Sequence, residues 1–285
     1  MAIAASGAIS LGTTAGTDRS ISAEFGGTTP HSLSEYYGDG NAPASSGAIS
    51  FSDFHGTSDG AVYVGAAALG PTSHPNWDSS SEASPNVGSI GQNGDLVILV
   101  HGCGSGMSQY FLDGIKINDS SALNTVTKYT TSGTSASTIN WGVYWWIKAS
   151  GQTNPYYNHQ YDQYAGYGRS GGVMVFRNVT TLVGSATNYA GGLRTYNNPP
   201  SATASSTPKL WIAVGAHKTY SGNSAPGATP SGYTKPITDG TNASPYSTGT
   251  HMAYKIATNT TEDPGYLTGY QNKYQYGRAA TLAFA

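Results

Sequence analysis

The chain has 285 residues, 10% of them charged, and a formal net charge of −2. Globular domains average about 25% charged residues, and the lack of any basic run removes most of the case for nucleic acid. No apolar run is longer than Leu96 to Val100, which is far too short to span a bilayer, and a single cysteine excludes an intrachain disulfide framework and a Cys-based zinc cage.

Met1-Ala2-Ile3-Ala4-Ala5 carries no positive n-region, so no signal peptide is expected. Residues 1–58 read as a Gly- and Ser-rich arm with short apolar islets. Ser6-Gly7-Ala8-Ile9-Ser10-Leu11 recurs as Ser46-Gly47-Ala48-Ile49-Ser50-Phe51. Ser32 with Glu35, and Ser50 with Asp53, have capping-box spacing. Gly26, Gly38 and Gly56 stand where a helix stop is expected. The spacing therefore predicts helices of one or two turns. Such helices are unstable alone, because nucleation is costly. Ile21, Phe25, Leu33, Tyr36, Tyr37, Phe51 and Phe54 supply the apolar face that would dock onto a partner.

Residues 59–285 read as an all-β body of jelly-roll or β-sandwich type. Strands are predicted over Gly60–Leu69, Asp95–His101, Trp141–Lys148, Gly172–Asn178, Leu210–His217, His251–Ala257 and Arg278–Ala285. These stretches are rich in β-branched and aromatic residues, and Pro, Gly, Asn and Ser clusters separate them. Apolar residues spaced by three and four never persist, so long helices are not expected. The body also echoes itself at an offset of about 110 residues, a domain-scale period. Leu96-Val97-Ile98-Leu99-Val100 is matched by Leu210-Trp211-Ile212-Ala213-Val214. Val143–Ala149 is matched by Met252–Ala257, and Arg169–Val175 by Arg278–Phe284. Two related halves, about 90–190 and 205–285, suit two sheets packed face to face or two similar sandwiches.

One arrangement imitates an enzyme. The apolar strand ending in His101-Gly102 resembles the oxyanion strand of α/β-hydrolases. Gly168-Arg169-Ser170-Gly171-Gly172 fits Gly-x-Ser-x-Gly, and Asp239 and His251 follow in the order acid, then base. The elbow, however, needs a buried strand before the serine and a helix after it. Here a polar aromatic stretch precedes Ser170 and Val173-Met174-Val175-Phe176 follows it. Cys103 sits between glycines after this strand, two residues from His101, but a small loop thiol is a simpler reading than a nucleophile. The seven histidines have no helical metal spacing, and the Asp/Asn-rich turns lack an EF-hand series. Neither a cofactor nor a metal is implied, and no catalytic residue is assigned.

Tyrosine gives the best binding signal, with 21 in the chain. Tyr156, Tyr157, Tyr161, Tyr164 and Tyr167 gather in one stretch with Asn158 and His159. Tyrosine offers a stacking face and a hydroxyl at low entropic cost, which suits polar surfaces and sugars. Sheet surface or subunit contact uses the same residue type.

The arm words Ser6-Gly7-Ala8-Ile9-Ser10, Ile21-Ser22-Ala23-Glu24-Phe25-Gly26-Gly27, Ser32-Leu33-Ser34-Glu35-Tyr36-Tyr37-Gly38 and Ser46–Gly56 resemble the N-terminal repeats of tailed-bacteriophage virion proteins. Gly94-Asp95-Leu96-Val97-Ile98, Tyr254-Lys255-Ile256-Ala257 and Asp263-Pro264 are similar to words in their β-sandwich modules. The resemblance implies a non-enzymatic virion component, made in the host cytoplasm and anchored by the arm. It implies a tail fibre or adhesin that contacts other virion proteins, its own copies (a trimer by analogy with fibres) and a host surface glycan. A capsid-exterior decoration or head-fibre protein is the alternative, and a serine hydrolase of surface polymers a remote one. Neither nucleic acid nor membrane insertion is expected.

Overall fold

The structure is a computed structural model. It describes residues 21, 25, 36, 48–50, 60–68, 91–104, 115–117, 124–129, 139–150, 155–157, 169–190, 196–219, 229–241, 247–268 and 275–285. The chain divides into two compact units, Met1–Val62 and Tyr63–Ala285.

The described strands run in chain order β1 (Val62–Ala68), β2 (Leu96–Gly104), β3 (Ile115–Ile117), β4 (Asn124–Tyr129), β5 (Ile139–Ile147), β6 (Pro155–Tyr157), β7 (Arg169–Arg177) and β8 (Leu182–Ala190). They continue as β9 (Tyr196–Asn197), β10 (Ala202–Thr203), β11 (Leu210–Thr219), β12 (Thr234–Thr241), β13 (Ser247–Ile256), β14 (Thr261–Glu262), β15 (Leu267–Thr268) and β16 (Gln275–Phe284). Ten of them build two five-stranded sheets, ordered β1-β7-β2-β5-β4 and β12-β13-β11-β16-β8. The body is thus an all-β sandwich, as its composition predicts.

Each sheet comes from one stretch of chain, and the two are wired alike. In both, the second long strand lies at the centre, flanked by the fourth and the fifth. Leu96 of β2 sits opposite Ile147 and Phe176. Leu210 of β11 sits opposite Ile256 and Phe284. The echo in the sequence is therefore also an echo in register. Its boundary differs from the one read from sequence. β8 belongs to the second sheet, so the chain changes sheet at Asn178–Thr181 rather than after residue 190. Asn178 takes a left-handed φ of 63° there, a conformation asparagine tolerates. Thr180 and Thr181 donate their N–H groups to the carbonyl of Ala285.

The central strands are continuous apolar runs because both of their faces are covered. Leu96 to Val100 and Leu210 to Val214 are fully buried. Side chains alternate along a strand. Gly102 lies against Ala216 and Thr250 of the other sheet, so Leu96, Ile98 and Val100 share the face between the sheets. Trp145 meets Phe284 edge-on at 5.7 Å. Phe176 meets Tyr254 edge-on at 5.2 Å, and Tyr63 stacks on Tyr254 at 4.7 Å. On the opposite face of the first sheet, Val97, Leu99, Tyr144, Trp146, Val173 and Val175 form a second buried cluster.

The outer face of the second sheet is covered by its own connections. Ala202, Ala204 and Leu267 pack with Trp211, Ala213, Ala253 and Ala283. The indole of Trp211 donates to the carbonyl of Asn259 at 3.0 Å, and the hydroxyl of Thr281 to that of Pro200 at 2.6 Å. β10 pairs with β14 in this cover. Gly184 permits the close approach, since a Cβ there would stand 2.6 Å from the carbonyl oxygen of Thr203.

A polar clasp closes one end of the first sheet. The carboxylate of Asp95, 1% exposed, accepts from Arg177 Nε at 3.0 Å and from the Gln92 N–H at 2.8 Å. Lys148 donates its N–H to the Asp95 carbonyl and its ammonium to that of Gly91. Asp95→Ala leaves the Arg177 and Gln92 donors without this acceptor. Equilibrium urea unfolding should show a loss of about 2–4 kcal/mol, whereas an effect within about 0.5 kcal/mol would remove the clasp from the account.

Candidate functional site

The sequence proposes two sites. Of the arm set, Ile21 and Phe25 have helical backbone, four residues apart, and Tyr36 lies in a 3₁₀ turn. Ile21 and Tyr36 are buried within this chain, while Phe25 is half-buried. Phe25 therefore keeps the largest accessible share of these three. Leu33, Tyr37, Phe51 and Phe54 lie outside the described residues.

Of the tyrosine stretch, Tyr156 and Tyr157 belong to β6, where they pair with Lys116 and Ile115 of β3. Asn158, His159, Tyr161, Tyr164 and Tyr167 lie outside the described residues. The chain re-enters the first sheet at Arg169, opposite Cys103. That end of the sandwich also holds Ile139, opposite Gly104.

The hydrolase-like residues are not assembled. Ser170 lies inside strand β7 rather than on a strand-to-helix turn. It is fully buried between the sheets, and its hydroxyl shares a hydrogen bond of 2.8 Å with that of Thr250. His251 follows Thr250 along β13, and neighbours on a strand point to opposite faces. Its imidazole therefore lies on the far side of the second sheet from Ser170. Asp239 stands opposite Thr250 in the β12–β13 ladder. This placement supplies neither a serine–imidazole hydrogen bond nor an exposed nucleophile, which acyl transfer requires.

What the second sheet does assemble is a pair of buried histidines. Register places His217 opposite Gly249 and His251 opposite Gly215 on the same two strands. The rings stack at 5.6 Å with an interplanar angle of 16°. Gly249 makes room for this: a Cβ there would come within 2.0 Å of the His217 ring. Burial, and then His251, hold the His217 imidazole well below its ordinary range. Burial, and then the ammonium of Lys235, push His251 down to about 3. Both rings are therefore neutral at pH 7. The sequence shows seven scattered histidines, and only the β11–β13 register reveals this pair. Among the described residues, no three His, Cys, Asp or Glu side chains stand together to hold a metal ion, and no helix is long and apolar enough to cross a membrane.

Comparison with known proteins returns no matching family, curated protein or solved structure.

The neutral pair makes the body acid-sensitive. Below an unfolded-chain pKa of about 6.5, the unfolded chain takes up a proton that folded His251 refuses down to about 3. Stability is thus fully present above that upper value and falls as pH drops through the window. At pH 5 the loss from His251 is about 2 kcal/mol relative to pH 8. Urea unfolding of the wild type and of His251→Gln at both pH values checks this, because the variant should lose less on acidification. Gly249→Ala, which drives a methyl group into the His217 ring, should cost about 1–3 kcal/mol at pH 8, read as a lower unfolding midpoint.

Proposed function

We propose that this chain is a non-enzymatic structural component of a bacteriophage virion, a tail-associated fibre or adhesin. The arm anchors it to other virion proteins, and the sandwich is displayed. The observation that carries this reading is the division of the chain. Residues 1–62, which hold the phage-like arm words, make a compact unit of their own ahead of an all-β body. The body supports it in a second way. Its central strands are occupied with mutual packing, and Ser170 and His251 of the one arrangement that imitates an enzyme lie on opposite sides of the second sheet. A charge-poor chain rich in Gly, Ser, Thr and Tyr suits a solvent-facing protein in a symmetric assembly. The tyrosine stretch from Tyr156 to Tyr167 is the part assigned to a host surface glycan.

Gold-labelled antibody raised against residues 63–285 tests this on intact phage particles under the electron microscope. The expected result is label at the tail. Label over the head would move the protein to the capsid-decoration class. Particles without label would overturn both structural readings.

A further inference from the structure

The two sheets end in four edge strands, β1 and β4 in the first, β8 and β12 in the second. An unpaired edge offers a row of backbone donors and acceptors, which folded proteins usually blunt with charge, proline or a bulge. β12 carries all three, with Lys235, Pro236 and a register shift between Thr234 and Ile237. β4 carries Lys128 and a shift between Thr125 and Thr127. β1 has neither charge nor proline, but it straddles the boundary of the two compact units.

β8 lies wholly within the second unit, and its nine residues include neither charge nor proline. Its one register irregularity falls at its start, opposite Ala283 and Phe284. There Ser205 donates its N–H and its hydroxyl to the Val183 carbonyl, at 2.8 and 2.9 Å, and covers that end of the edge. Beyond it, Ser185, Thr187 and Asn188 are exposed. Among the described residues, no strand pairs with β8 on the side away from β16.

We infer that the open part of β8 is an interface with a second copy of this chain, paired antiparallel to itself about a twofold axis at Ala186. The inference rests on the proposed place in a symmetric assembly and names the surface, with a twofold contact in place of the trimer implied by analogy with fibres. An isologous contact sets each residue against its symmetry mate. Centred on Ala186, Ser185 meets the partner's Thr187, and Gly184 meets the partner's Asn188. Opposed Ser and Thr form favourable cross-strand pairs, and no like charges meet. A charged partner gains nothing from a neutral edge, whereas a copy of the same strand matches it in size and polarity. The result is one continuous ten-stranded sheet across two bodies, within the usual range.

Light scattering of the 285-residue chain across a dilution series tests this. Ser185→Lys with Thr187→Lys opposes like charges across the axis, and should weaken association about tenfold or more. Ser185→Lys with Thr187→Glu opposes unlike charges instead and should keep the association of the wild type. It also controls for folding, because the same two positions are changed. A double-lysine protein that associates like the wild type would place the interface elsewhere and overturn the inference, leaving the assembly role intact. A wild type that stays monomeric throughout the series would overturn it as well. Gold label on particles reports on the virion role separately from either outcome.

Discussion

The body depends on two aromatic contacts that cross between its sheets. Trp145 of the first sheet meets Phe284 of the second, and Phe176 of the first meets Tyr254 of the second. These contacts are reciprocal. Trp145 and Tyr254 occupy matching places beside Ile98 and Ile212, and Phe176 and Phe284 occupy matching places beside Leu96 and Leu210. Each half thus contributes two large rings, one to each contact. Edge-on pairs of this kind are worth about 0.5–1.5 kcal/mol beyond the area they bury. Burying each large apolar side chain adds about 1.5–3 kcal/mol. Neither sheet can satisfy its inner face without its counterpart, and the clasp, the cover strands and the histidine stack are built on that mutual burial.

The same constraint explains what could be read from the sequence. The central strands and their flanking neighbours, such as Leu96–Val100, Trp141–Lys148 and Leu210–His217, are legible because both faces are covered and their residues must be apolar. β8 and β12 were not predicted. Each is an edge, half in water, and its Ser, Thr, Asn and Gly content reads as loop. β4 was missed on similar grounds, with Asn124, Thr125, Thr127 and Lys128 in its short run. The echo between halves was visible as sequence words, but its meaning came from register. The site was less legible. Ser170 carries a motif whose chemistry depends on a turn, and the strand around it removes that turn. His217 and His251 carry no motif at all, since only β11–β13 pairing brings them together.

The buried polar groups divide by role. Ser170 and Thr250 satisfy each other between the sheets. Asp95 is held by Arg177 and by the backbone N–H of Gln92, and the half-buried Lys255 pairs with Glu262 at 2.9 Å. These are closed networks, which fix register rather than offer chemistry. A body built this way offers its edges and its ends for recognition, which is what the proposed assembly role would use.

The most direct test of this mutual dependence is native-state hydrogen exchange on β2 and β11, the central strands of the two sheets. If the sheets form one cooperative core, amides of Val97–Val100 and Trp211–Val214 open with the same free energy, equal to that of global unfolding. Trp145→Ala should then lower both by the same amount. Protection that collapses in β2 while β11 keeps its own would contradict the account, because it would mean that each half holds together alone.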